Sequence, residues 1–116
     1  MPDDQSIKND LIYIQLLLNE SVAEQLTEAR QMVESNPPYL AQRITLALAH
    51  YRNGDYKMAY RVLEPLELNP IDLHPGYRAV YAAILNKNEK EREAKDVIAN
   101  INVDDLLPEE KDLIRF

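Results

Sequence analysis

The sequence contains no cysteine and only two glycines among its 116 residues. Without a thiol, disulfide frameworks, cysteine-ligated zinc, iron–sulfur clusters and cysteine nucleophiles are excluded. Two glycines provide few sites for tight β-hairpin turns, and they cannot form a glycine-rich phosphate loop. These absences disfavour disulfide-rich, hairpin-rich and nucleotide-binding classes of protein.

Positive charge is also scarce, since 13 Lys and Arg stand against 20 Asp and Glu, a net charge of −7. Nucleic-acid affinity comes mostly from basic side chains that neutralise phosphates, and an anionic membrane repels an acidic surface. We therefore expect neither nucleic acid nor a membrane as a partner.

Long apolar runs are missing as well. The strongest run, residues 11–18, is interrupted by Gln15 and is far shorter than the ~20 residues of a membrane span. The first residues lack the basic start and apolar stretch of a signal peptide, so a cytoplasmic location is the default expectation. A domain cut from a longer protein would carry the same features. The length has room for one core, which predicts a single domain over 1–116.

The residues that are present predict helices throughout and no strand, an all-α fold. In the first third, apolar residues recur at steps of three or four, the spacing of one helix face. Either one long helix runs over 7–35, or a hairpin breaks near Asn19 and Glu20; we favour the hairpin. Ser21 and Glu24 fit a capping box, and Pro37 ends the second helix. The periodic residues are Leu11, Ile14, Leu18, Val22, Leu26, Ala29 and Val33.

Five further helices are predicted, each bounded by a cap or a proline. Gly54 suits a left-handed C-cap and Asp55 an N-cap, while Pro108 falls in a first turn, where its missing N–H is harmless. The predicted helices cover 39–52, 56–64, 77–86, 90–101 and 105–116, with a linker around 69–76.

The sequence repeats itself at an offset of 35 residues, and the two middle hairpins align without a gap. Helical hairpins repeated at this length are typical of solenoids, whose units bury their apolar faces only against neighbours. The aligned pairs are Ala47 with Ala82, Ala49 with Ile84, Arg52 with Lys87, Asn53 with Asn88, Ala59 with Ala94, Val62 with Val97, Leu63 with Ile98 and Leu66 with Ile101.

Residues 46–63 resemble a tetratricopeptide repeat. The family places a small residue on each helix, here Ala47 and Ala59, with a Gly-Asp-Tyr turn between them at 54–56 and often a proline afterwards, here Pro70. Small residues let neighbouring helices approach closely. Residues 77–101 resemble a second repeat, but Glu89 stands where the first repeat has its turn glycine.

The resemblance implies a short right-handed α-α superhelix of about three hairpins with a capping helix at the C-terminal end. Its units are a degenerate first hairpin at 7–36, repeats at 39–68 and 74–102, and a capping helix at 105–116. The first hairpin is the weakest match, because a shift of 35 residues places Ile12 and Glu24 where small residues belong.

The resemblance also implies a protein-binding scaffold that holds a partner segment in a concave groove lined by the first helices of its repeats. Ile44 and Leu48 occupy positions where members that clamp a C-terminal carboxylate carry Lys and Asn, so that activity is not carried over. We call the expected lining the predicted groove: Ala41, Ile44, Leu48, Tyr51, Arg52, Ala79, Ala83, Asn86 and Lys87.

An apolar groove has a second explanation, coverage by the chain itself or by another copy. The apolar residues of the terminal helix could lie over Ile44, Leu48 and Ala83 or over the last repeat, and we favour coverage over an open site. Three functions stay open: an adaptor for a protein segment, a structural or oligomerisation module, and a small chaperone of the secretion type.

Nothing in the sequence suggests an enzyme, a cofactor or a metal site. His50 falls inside a helix, aligned with Leu85, where packing explains it best, and His74 falls in the linker. Acidic pairs such as Asp104 and Asp105 are explained as solvated helix starts, which the helix dipole favours.

Overall fold

The computed structural model describes residues 3–35 and 39–116, and over these ranges it is all-α, as predicted. Seven α-helices and three short 3₁₀ turns follow one another, with no strand in the described part of the chain. The α-helices are α1 (Asp3–Leu17), α2 (Val22–Ser35), α3 (Leu40–Arg52), α4 (Tyr56–Leu63), α5 (Pro75–Lys87), α6 (Glu91–Ile98) and α7 (Pro108–Leu113). The 3₁₀ turns are Glu64–Leu66, Pro70–Asp72 and Val103–Asp105.

The first third forms the hairpin and not the single long helix, because α1 ends before Asn19 and Ser21, which both have a positive φ. The φ of Ser21 is +50°, whereas an N-cap residue is normally extended. The predicted capping box is therefore not supported by the backbone, although α2 does begin at Val22. The predicted proline stop lies outside the described residues.

The turns inside the three hairpins have the same backbone geometry, spaced 35 residues apart. Asn19, Gly54 and Glu89 each occupy the left-handed region, with φ of 59°, 83° and 63°. In each turn the next residue's N–H donates to the carbonyl five residues back, at 2.9 to 3.0 Å. This is the Schellman arrangement that ends a helix. The first hairpin is thus in register with the others despite its divergent side chains.

The small residues mark close helix contacts. Ala47, Ala59, Ala82 and Ala94 are all fully buried. Helices α1 to α6 pack on their neighbours in chain order, α3 also rests on α1 and α5, and α7 packs on α5. This packing is that of a helical-repeat fold.

Several boundaries differ from the predicted ones because local capping overrides the apolar period. Helix α5 starts at Pro75, two residues early, since His74 caps it. Pro65 falls within a 3₁₀ turn after α4. The terminal helix is shorter than predicted; Val103–Asp105 forms a separate 3₁₀ turn, and Pro108 is in the first turn of α7 as expected.

The two ends of the solenoid meet across the third hairpin. Helix α7 packs on α5, and its Leu113 belongs to the main core together with Ile44, Leu48 and Ala83. The Tyr13 hydroxyl on α1 donates to Glu110 Oε2 on α7 at 2.7 Å. The chain therefore covers its own apolar interior from both ends.

Candidate functional site

Four residues of the predicted groove are in the core. Ile44, Leu48, Ala79 and Ala83 are at most 2% exposed. They offer no surface to a partner in this conformation, because α1 and α7 pack against the helices that carry them.

Four other residues of the predicted groove, Tyr51, Arg52, Asn86 and Lys87, keep some exposure at the ends of α3 and α5. Arg52 reaches back to the first hairpin, where its Nε and Nη2 donate to the carbonyls of Leu16 and Leu17, both at 2.8 Å. These carbonyls lie at the C-terminal end of α1, where a cation is favourable. Arg52 thus joins two hairpins.

The aromatic rings near Arg52 and Lys87 also make contacts within the protein. Tyr51 lies 5.3 Å from Tyr56 between ring centroids, and Lys87 Nζ lies 5.3 Å from the Tyr56 ring centre. Burial raises the pKa of Tyr51. Arg52 and Lys87, the two cationic residues of the predicted groove, are therefore involved in contacts between successive hairpins.

A different apolar surface is exposed on α1 and on Leu18, which directly follows it. Ile7, Leu11, Ile14 and Leu18 are 57%, 60%, 46% and 47% exposed, and their spacing places them on one face of the helix. We call these four residues the α1 stripe. Leu11, Ile14 and Leu18 share one helix face, as their spacing predicts, but this face is exposed. The core face carries Ile12, Tyr13, Leu16 and Leu17.

The two rims of the α1 stripe differ in charge. On the side of α2, Lys8 forms an ion pair with Glu28 at 2.9 Å, and Gln15 accepts a hydrogen bond from Gln25. On the side of α5, Asp10 is exposed. Burial raises the pKa of Tyr77, and the negative charge of Asp10 raises it further. The free charge beside the stripe is therefore negative.

Below the stripe, Glu110 is a buried carboxylate with both oxygens engaged. Its Oε2 accepts from Tyr13, and its Oε1 accepts from the backbone N–H of Leu107 at 2.8 Å. Burial, and then this hydrogen bond, raise the pKa of Tyr13. The carboxylate packs directly on Gly76.

The two histidines lie in different parts of the fold. His74 Nδ1 accepts from the backbone N–H of Gly76 at 3.1 Å, and its ring lies 3.7 Å from that of Tyr77. His50 is buried in α3. Burial lowers the pKa of both. Across residues 3–35 and 39–116, no group of three acidic, histidine or cysteine side chains is placed to hold a metal.

Ala41 lines a cleft with Gln42 and Tyr77, apart from the other groove residues. No described helix is long and apolar enough to cross a membrane.

Comparison with known proteins identifies the repeats. The family model described as anaphase-promoting complex, cyclosome, subunit 3 matches residues 19–101, which include all of α2 to α6. No curated protein and no solved structure gave a match.

Proposed function

Because the chain belongs to the anaphase-promoting complex, cyclosome, subunit 3 family, which is of the tetratricopeptide-repeat type, we propose that it is a protein-interaction module that docks a helix of a partner protein on the α1 stripe. The observation that carries this proposal is the set of four exposed aliphatic side chains on one face of α1.

The spacing of the stripe favours a helix as the occupant. Its residues follow one another at steps of four, three and four, the a/d pattern of a coiled-coil seam. A partner helix would bury the exposed part of all four side chains, which is roughly half of each. Each would then contribute about half of the 1.5–3 kcal/mol of full burial. In a solenoid this outer face of the first helix is where a preceding helix would stack.

The charge around the stripe favours a basic partner helix. Lys8 is paired with Glu28, whereas Asp10 forms no ion pair within the described chain and adds to the net charge of −7. A lysine or arginine beside the apolar face of the partner would meet Asp10 and would speed association through the overall field.

An antiparallel pair of two copies fits the stripe less well. In an antiparallel isologous pair of α1 helices, the two-fold axis would bring Asp10 of both copies to the same side of the seam. Lys8 of both copies would meet on the other side. Like charges disfavour this arrangement.

The predicted groove is a separate proposal for the partly exposed residues Tyr51, Arg52, Asn86 and Lys87. Binding at its buried centre would require α1 and α7 to separate, which breaks the Tyr13–Glu110 hydrogen bond. The α1 stripe needs no such opening, and so we favour it.

Two synthetic helical peptides test the stripe. Both carry Leu at the a and d positions, and they carry either Lys or Glu at the flanking e and g positions. We expect the Lys peptide to bind at least about tenfold more tightly, since one favourable charged contact contributes on the order of 1.4 kcal/mol. Binding is measured by titration calorimetry, and the oligomeric state by sedimentation at several concentrations.

Variants locate the binding surface. Leu11→Lys with Ile14→Lys should abolish peptide binding without loss of stability, because both side chains are already exposed. Ile71→Lys is the matched control, since Ile71 is 85% exposed outside the stripe. Unchanged binding by the double variant would contradict the proposal. So would a wild-type dimer that the double variant converts to a monomer, because a second copy would then occupy the stripe.

A further inference from the structure

A cleft of about 350 Å³ lies between α1, the start of α5 and the segment that leads into α7. Ile14, a member of the α1 stripe, lines it from α1, and Leu107, the residue directly before α7, lines it from the other segment. Both residues are exposed, by 46% and 44%. A helix that covers Ile14 would therefore also lie at the mouth of this cleft, next to Leu107.

One buried carboxylate fixes the position of Leu107 relative to α1. Glu110 Oε2 accepts from the Tyr13 hydroxyl on α1 at 2.7 Å, and Glu110 Oε1 accepts from the backbone N–H of Leu107 at 2.8 Å. Glu110 is 4% exposed, so water competes little for either hydrogen bond. The two sides of the cleft are therefore held in place before a partner binds, which lowers the entropic cost of binding.

The charge at the cleft is negative and is not neutralised by the protein itself. Asp10 and Asp105 both line the cleft and are exposed, and neither forms an ion pair with another described residue. None of the described lining residues is Lys or Arg, and burial lowers the pKa of His74, which leaves its ring uncharged at neutral pH. An anionic side chain would be repelled here, whereas a cationic one would complement both carboxylates.

We propose that the docking surface for the partner helix is composite: it extends from the α1 stripe across the cleft to Leu107, and a Lys or Arg side chain of that helix lies between Asp10 and Asp105. This inference rests on the proposed docking at the α1 stripe, and it adds the second element of the surface and the place of the basic residue. The surface is complete only while α7 remains joined to α1. Partner binding would therefore also stabilise the contact between Tyr13 and Glu110.

The helical peptide with Lys at its e and g positions is the probe, and two substitutions with matched controls test the surface. Asp105→Asn removes a charge from the cleft, and its control Asp104→Asn removes the adjacent exposed charge, which is outside the lining. Leu107→Ser removes apolar contact and introduces a favourable N-cap residue for α7. Its control is Val103→Ser, since Val103 is 49% exposed outside the lining.

Binding is measured by titration calorimetry in 0.15 M salt, which screens charges more than about 8 Å away. We expect each test variant to bind the Lys peptide about fivefold more weakly, and each control to differ from the wild type by less than about twofold.

A double-mutant cycle locates the basic side chain. Two further peptides carry Gln in place of Lys, one at the e positions and the other at the g positions. We expect one of them to be insensitive to Asp105→Asn, because the charge that faces the cleft is gone, and the other to remain about fivefold sensitive. Equal sensitivity of both peptides would overturn the placement of the basic residue.

The stripe variants separate this inference from the proposed function. Loss of binding in Leu11→Lys with Ile14→Lys, together with unchanged binding in both Asp105→Asn and Leu107→Ser, would overturn the composite surface and leave docking at the α1 stripe standing. Absence of binding by the wild-type protein would overturn both.

Discussion

Gly76 and Glu110 illustrate how a single residue fixes a helix contact. A Cβ built on Gly76 would lie 2.8 Å from Glu110 Cδ and would also overlap the carboxylate oxygens. The absence of a side chain at residue 76 is therefore what lets the carboxylate of α7 lie against the first turn of α5. Glycine is required here for space, since its backbone is helical.

We expect Gly76→Ala to lower the free energy of unfolding by about 1–3 kcal/mol, the usual effect of overpacking. The measurement is urea denaturation followed by circular dichroism. In a Glu110→Ala background the same change should be neutral or stabilising, because the clash is gone and alanine favours a helix. Equal destabilisation in both backgrounds would show that the carboxylate is not the obstacle.

At the scale of an element, each of the three hairpin turns contains one residue with a positive φ, and these residues differ in how much backbone strain that conformation causes. Gly54 adopts a positive φ freely, Asn19 adopts it with little strain, and Glu89 does so at a cost. No atom lies within 4 Å of a Cβ built on Gly54. Substitutions there therefore report backbone strain alone.

We expect Glu89→Gly to stabilise the protein by about 1 kcal/mol and Gly54→Glu to destabilise it by a similar amount. Asn19→Gly should have an effect close to zero. Urea midpoints of the three variants check the order. A destabilised Glu89→Gly variant would mean that contacts of the glutamate side chain outweigh the strain.

The helices and their pairing could be predicted from the sequence because caps, prolines and the 35-residue offset are local signals. Ala47 and Ala82 marked close contacts correctly. The orientation of α1 could not be predicted, since residues 11–18 are apolar on both faces. Leu11 and Ile12 both fit a buried stripe, and only packing against α3 decides between them. The sequence contains two interleaved apolar stripes, but it does not indicate which of them is exposed.

The site was harder to predict than the fold. Whether Ile44 and Leu48 line a groove or a core depends on whether other helices cover them. Helices α1 and α7 come together through a contact between residues 97 positions apart, which no local sequence pattern indicates. No local pattern pairs Asp10 with Asp105 either. Their meeting in one cleft follows only from the contact of α1 with α7.

At the scale of the whole molecule, the two histidines couple stability to pH. Burial lowers the pKa of both in the folded state, so the unfolded chain binds more protons below its ordinary histidine pKa of about 6.5. Protonation of His74 Nδ1 also removes the acceptor that caps α5. Stability should therefore be full above pH 6.5 and fall as the pH decreases below it.

Urea midpoints at pH 7.5, 6.5 and 5.5 test this expectation. His74→Asn keeps a capping acceptor, and His50→Leu introduces the residue found at the equivalent Leu85, which is buried. The combined variant should show a smaller loss of stability between pH 7.5 and 5.5. An equal loss in the variant and in the wild type would assign the pH dependence to other groups.

The contact between Tyr13 and Glu110 also limits how such a protein could evolve in length. Internal duplication of one hairpin between α4 and α5 would shift the last helices by roughly 10 Å, one helix diameter. Glu110 Oε2 would then lose the Tyr13 hydroxyl that donates to it. Growth by repeat copying is therefore blocked in the middle of this array. New units could be added without such damage ahead of α1, over the aliphatic side chains that now face outward.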